Sequence, residues 1–271
     1  MTDTQPTTEP SIQQLFDLKG KTSLITGASG YLGRSMAFAL AEAGSKVIVT
    51  SRNKKRAQTV AGDLPDPNDN GHHGIVLDQM ASETTIETAF QDIVDHIGHI
   101  DILINNGHEF ERNDWTDVSA EQFTRQMGNA TGYFILARLL REHVLKRKAP
   151  ANIIMLGSMY GQVGSYPDTY AGICPASAVA YHTLKGGIIH LTRHLAVYWA
   201  KDNIRVNCLS PGPFPSESVG NRLISKLKTK SPMGRMGKPS ELKGAIVFLA
   251  SDASSYMTGQ NLTIDGGWTA W

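Results

Sequence analysis

Seven short apolar or β-branched runs punctuate this chain, and a stretch of helical character separates nearly every run from the next. The runs are TSLIT (22–26), KVIVT (46–50), GIVL (74–77), IDILI (100–104), NIIML (152–156), IRVNCL (204–209) and NLTI (261–264). Between them the pattern predicts helices over about 31–43, 53–62, 83–97, 119–147, 177–201 and 239–250. The runs are continuously apolar and do not alternate, as expected of strands whose two faces are both covered by crossover helices. The fold class that follows is α/β, a doubly wound parallel sheet of about seven strands with helices on both faces. Residues 1–14, rich in Thr, Gln and Pro, are expected to form a flexible leader, and residues 15–271 one domain.

Charge and cysteine usage exclude several classes. Lys and Arg number 26 against 25 Asp and Glu, a net charge of +1 without the basic excess that binds phosphate backbones, so no nucleic-acid partner is expected. No apolar run approaches the roughly 20 residues of a bilayer span, so no membrane partner is expected either. Cys174 and Cys208 stand apart and form neither a disulfide framework nor a Cys-rich zinc site, which points to a reducing, cytoplasmic compartment. The histidine pairs His72/His73, His96/His99 and His190/His194 lack a third ligand at recognisable spacing, and no metal is expected.

The first run leads into TGASGYLG (26–33), which opens a helix. Gly27, Gly30 and Gly33, with Ser29, Tyr31 and Leu32 between them, therefore sit where a dinucleotide pyrophosphate meets a helix N-terminus in a Rossmann-type sheet. The spacing is GxxGxxG, not the usual GxGxxG, and an ordinary βα turn would read the same way, so the rest of the chain has to decide. At the end of the second run stand Thr50, Ser51 and Arg52, with Asn53, Lys54, Lys55 and Arg56 following. An NAD enzyme typically places Asp or Glu here to accept from the ribose 2′-hydroxyl, whereas Arg suits a 2′-phosphate. With no carboxylate in the run and several cations, NADP(H) is the expected cofactor and NAD(H) a possible one. The alternative is a solvated basic helix start, although a basic first turn opposes the helix dipole.

Tyr181 and Lys185 lie four apart on one helical face, beside an apolar stripe through Ala180, Leu184, Ile188, Leu191 and Leu195. A bare YxxxK arises readily by chance and needs context. Ser158 follows the fifth run, and Asn105, Asn106 and Gly107 end the fourth, so both groups fall at the C-terminal edge of the sheet, where open α/β folds bind ligands.

In these features the chain, from about residue 17 onward, resembles the short-chain dehydrogenase/reductase family. Asp78 in VLDQM resembles the family's adenine-contacting Asp, INNG (104–107) its NNAG stretch, and Asn129 its helix-borne active-site Asn. Ser158 matches its catalytic Ser, and Tyr181 with Lys185 its YxxxK pair. SPG (210–212), with Pro211 and Gly212, resembles the loop that contacts the nicotinamide, and TGQNLTIDGG (258–267) the C-terminal strand and turn. Length and ending match the compact reductase branch, although the glycine spacing is that of the longer sugar-nucleotide branch. His108 stands where a small residue is usual. Tyr181 lies 23 positions after Ser158, more than in typical compact members, and the excess is the loop 161–175.

The resemblance implies a single dinucleotide-binding catalytic domain that interconverts a carbonyl and an alcohol. Tyr181 would act as general acid or base, its pKa lowered by Lys185 and the oxidised nicotinamide, with Lys185 also holding ribose hydroxyls. Ser158 would bind the substrate oxygen, and Asn129 a water linking Lys185 to solvent. A cofactor-retaining lyase or epimerase on a sugar derivative, and a non-catalytic cofactor-binding regulator, are the competing readings. Ser165, Tyr166, Asp168, Thr169 and Tyr170, with Tyr160 and His182 near them, suggest a hydroxyl-rich small-molecule carbonyl or alcohol, a sugar or sugar acid, with Tyr160 among the substrate contacts. A loop that only covers the site or packs between subunits is the competing reading. The resemblance implies a homotetramer, or a dimer, built on the two long helices.

Overall fold

The computed structural model describes residues 9–174 and 177–271. Residues 1–8 of the expected leader, and Pro175 of the expected loop, lie outside the described residues. In chain order the elements are α1 (Ile12–Phe16), β1 (Thr22–Ile25), α2 (Tyr31–Glu42), β2 (Lys46–Ser51), α3 (Lys54–Asp63), β3 (His73–Val76), α4 (Glu83–Ile97) and β4 (Ile102–Asn105). There follow α5 (Ala120–Arg147), β5 (Ala151–Leu156), α6 (Pro167–Tyr170), α7 (Val179–Trp199), β6 (Ile204–Pro211), α8 (Asn221–Lys230), α9 (Lys243–Ala250) and β7 (Asn261–Ile264).

All seven strands join one parallel sheet in the order β3-β2-β1-β4-β5-β6-β7, the doubly wound α/β fold expected from the runs. The strand order reverses between β1 and β4, so their C-terminal ends flank the crevice where such sheets bind ligands. Successive strand residues feed opposite faces. Leu24, Leu103, Ile153 and Val206 pack with α4, α5 and α7 through Phe90, Leu136, Leu140 and Ile188. Ile25, Ile104, Ile154 and Leu209 pack with α2, α3 and α9 through Met36, Leu40, Val60 and Ile246. Ser119 and Gln122 close a capping box at the start of α5, which fixes where the longest helix begins.

Three of these helices were not anticipated, one of them the short α6 within the expected loop. Helix α1 occupies the end of the expected leader, and its Phe16 ring lies 6.3 Å from that of Phe248. Helix α8 carries only Leu223, Ile224 and Leu227 among four cations and three other polar residues, too thin a stripe to stand out from a loop.

Candidate active site

A cavity of about 690 Å³ opens along the C-terminal edge of the sheet, within the range of small-molecule and cofactor sites. Every residue expected to bind cofactor borders it: Gly27, Ser29, Gly30, Tyr31, Leu32 and Gly33 from the turn; Ser51 and Arg52 after β2; Asp78; Asn106; Tyr181 and Lys185; and Pro211 and Gly212. Ser158 borders it too, whereas Asn129 and Tyr160 do not.

The turn is built for glycine. Gly27 has φ +64°, and a Cβ there would stand 2.6 Å from the Gly107 Cα; a Cβ on Gly33 would stand 2.5 Å from the Gly27 carbonyl. Asn106 locks the turn to the end of β4 by donating through Nδ2 to the Thr26 carbonyl at 2.8 Å and the Gly27 carbonyl at 3.2 Å. The helix α2 then starts behind Gly30, which has no side chain to cap it, so the first-turn amides are offered to the cavity.

Lys185 is buried and donates through Nζ to the Leu156 carbonyl at 2.6 Å, with Nζ 5.7 Å from the centre of the Tyr181 ring. Burial depresses its pKa to about 8. The expected lowering of the Tyr181 pKa is not what the protein alone provides. Burial raises it, and a hydrogen bond from Ser158 only partly opposes that rise. The Lys185 ammonium is engaged by the Leu156 carbonyl, and desolvation is the larger influence on the phenol.

His108 and Phe110 pack edge-on to Tyr181, with ring centres 5.3 and 5.4 Å away. The Gln126 Oε1 accepts from the Glu111 amide at 2.6 Å, which leaves Nε2 to donate to the His108 Nε2 at 3.2 Å. The His108 proton therefore sits on Nδ1, which is buried without a partner among the described residues. Burial, with repulsion from Lys185, drops the His108 pKa to about 3, so the ring is neutral.

The Asn129 side chain is engaged within the protein. Its Nδ2 donates to the carbonyls of Glu109 at 2.9 Å and Gln126 at 3.0 Å, and its Oδ1 accepts from the Glu109 amide at 2.9 Å and Gln79 Nε2 at 3.3 Å. All four hydrogen-bonding positions of the side chain are used, leaving none for a water. Tyr160 is likewise turned away: its hydroxyl pairs with that of Tyr170, and its ring stacks on His182 at 4.5 Å. None of Ser165, Tyr166, Asp168, Thr169 and Tyr170 borders the cavity; the loop packs instead through Tyr166 on Trp268 and through Asp168 to Lys230 at 2.8 Å.

Arg56 of the expected cationic cluster borders the cavity too, and sequence reasoning missed Gln79, Glu109 and Phe214, which also line it. Glu109 matters most, because it places beside Arg52 the carboxylate that the second run lacks; the two pair at 2.8 Å. No spacing signal links them, since they follow different strands.

Comparison with known proteins fits this geometry. The family model described as enoyl-(acyl carrier protein) reductase matches residues 27–269. The chain belongs to the short-chain dehydrogenase/reductase family. It is 35% identical to sorbose reductase of Schizosaccharomyces pombe, over 94% of this chain and 98% of that one. It is 33% identical to the NADP-dependent mannitol dehydrogenase of Alternaria alternata, over 95% of each. Among solved structures, a gluconate 5-dehydrogenase from Burkholderia cenocepacia in complex with NADP and tartrate aligns with a TM-score of 0.85 and 29% identity, covering 96% of this chain and 99% of that one. The family's nicotinamide dinucleotide suits the site on its own chemistry: uncapped amides of α2 for the pyrophosphate, Asp78 and Arg52 towards the adenosine end, and Tyr181 with Lys185 at the other.

Proposed function

We propose that this protein is an NADP(H)-preferring oxidoreductase that interconverts a carbonyl and an alcohol on a sugar, polyol or sugar acid. The observation that carries the reading is the convergence of Ser158, Tyr181 and Lys185 on the cavity that also takes in the open N-terminus of α2 and Arg52. When bound, the nicotinamide supplies or accepts the hydride. Tyr181, held protonated at neutral pH by its burial, donates its phenolic proton to the substrate oxygen during reduction. Ser158 hydrogen-bonds that oxygen as charge builds on it. Lys185 holds its positive charge 5.7 Å from the centre of the Tyr181 ring, and in this reading it also binds the ribose hydroxyls.

Arg52 and Arg56 at one end of the cavity support NADP(H), as does the cofactor in the name of the mannitol dehydrogenase relative. The sugar-like substrate rests on the sorbose, mannitol and gluconate enzymes to which the chain is similar. The proposal includes a cytoplasmic homo-oligomer. Exposed Phe134 on α5 and Val197 and Tyr198 on α7 support assembly, and among the described residues no helix is long and apolar enough to cross a membrane. The test is initial rates of NADPH and NADH oxidation over ketoses, aldoses, keto sugar acids and simple ketones, with alditols in reverse. Turnover of ketoses or keto acids with NADPH is the expected result; turnover of only acyl thioesters or apolar ketones would overturn the substrate class.

A further inference from the structure

The Arg52–Glu109 pair joins the segment after β2 to the segment after β4, and β1 lies between those strands. The ion pair thus spans the cleft over the end of β1, above the glycine turn. Glu109 is shared: its second carboxylate oxygen is held by Arg125 of α5. It is also well fixed, because the fully buried Asn129 grips its backbone amide and carbonyl, while its side chain is only 22% exposed. The two arginines are the exposed partners, at 64% and 68%.

We propose that Glu109 is a specificity-determining residue, which tunes the choice between NADP and NAD by competing with a 2′-phosphate for Arg52. This rests on the reading of Arg52 as the 2′-phosphate ligand. A phosphate monoester carries close to two negative charges and engages a guanidinium through two hydrogen bonds, so it displaces a single carboxylate. The displacement costs the existing pair and sets two anions side by side, with Arg125 and Arg56 left to screen them. A cofactor with a free 2′-hydroxyl meets no such competition. Glu109 therefore weakens NADP binding and leaves NAD binding nearly unchanged.

The experiment is an equilibrium titration of the cofactor-free protein with NADPH, NADH, adenosine 2′,5′-bisphosphate and 5′-AMP, for the parent and for Glu109→Gln, Arg52→Ala and the double variant. Glu109→Gln should tighten NADPH and the bisphosphate about two- to fivefold, the scale of an exposed ion pair, and leave NADH and 5′-AMP unchanged. The gain should vanish in the double variant and shrink as salt is raised. Arg125→Gln should act oppositely and weaken NADPH, since Glu109 then answers only to Arg52. Equal changes for both cofactors, or weaker NADPH binding in Glu109→Gln, would overturn the proposal while leaving Arg52 as phosphate ligand. A parent that binds the bisphosphate no better than 5′-AMP, with no response to Arg52→Ala, would overturn both the Arg52 reading and this inference.

Discussion

Asn129 holds Glu109 from both sides, accepting from its amide and donating to its carbonyl, each at 2.9 Å. Glu109 lies between His108 and Phe110, the two rings against Tyr181, and reaches Arg52 with its own side chain. One buried amide thus sets the segment that borders both Tyr181 and Arg52. Asn129→Ala would leave backbone groups of Glu109 and the amide of Gln79 short of partners. An unsatisfied buried group costs about 1–3 kcal/mol, so a loss on the order of 3 kcal/mol is expected. Denaturant unfolding checks this, and an unchanged midpoint would show that the clamp contributes nothing.

Tyr181→Phe keeps the ring that His108 and Phe110 pack against and removes only the hydroxyl. Folding and cofactor binding should persist while turnover is lost. Ser158→Ala should lower kcat by about 10²–10³, the usual effect of deleting one donor to a developing oxyanion. Stopped-flow single turnovers separate chemistry from release; near-normal rates in Tyr181→Phe would remove the tyrosine from the proton transfer.

Lys185 makes the protein pay for a buried charge. Its pKa is about 8 in the fold against 10.5 ordinarily, so below pH 8 the folded state carries the full cost of a desolvated ammonium. Between pH 8 and 10.5 the unfolded chain binds the extra proton, and stability rises with pH across that window. Relative to Lys185→Met, the parent should therefore gain on the order of 3 kcal/mol between pH 7 and pH 10. Unfolding free energies of both proteins at the two pH values give the difference directly; parallel pH profiles would mean that Lys185 is not desolvated.

His108 carries the opposite liability, in acid. Its pKa of about 3 lies below the ordinary 6.5, so the contribution of the neutral ring is complete above pH 6.5 and is lost as the pH falls towards 3. At pH 5 the loss should reach about 2 kcal/mol. His108→Gln should flatten the acid limb of a stability–pH curve, and a limb as steep as the parent's would contradict the burial of this ring.

What the sequence disclosed follows from how locally each feature is encoded. Strands such as IDILI announce themselves because both their faces are buried; Gly27 and Ser158 lie just beyond the ends of β1 and β5, and Tyr181 and Lys185 share one face of the first turns of α7. The Arg52–Glu109 pair was invisible: 57 residues part its members, and only the β2-β1-β4 strand order brings them together. The side-chain partners of Asn129 could not be read from the sequence, because residue type gives hydrogen-bonding capacity but not which partners fill it. The hydroxyls of the 161–175 loop looked available for a substrate for the same reason, yet Tyr160 and Tyr170 satisfy each other.

That loop supplies the last prediction. Trp268, 1% exposed, receives the ring edges of Tyr160 at 6.4 Å and Tyr166 at 5.5 Å, and belongs to a cluster with Met159 and Leu227 of α8 that also takes in Tyr181. It therefore pins the loop and α8 to the side of the cavity where the carbonyl compound would sit, while the glycine turn and Arg52 lie elsewhere. Trp268→Ala should cost about 3–5 kcal/mol, the range for emptying a buried indole site. At a temperature where the variant stays folded, KM for the substrate should rise several-fold more than the dissociation constant for NADPH. If both constants rose together, the cluster would be supporting the whole sheet edge, and the loop would have no separate hold on the substrate side.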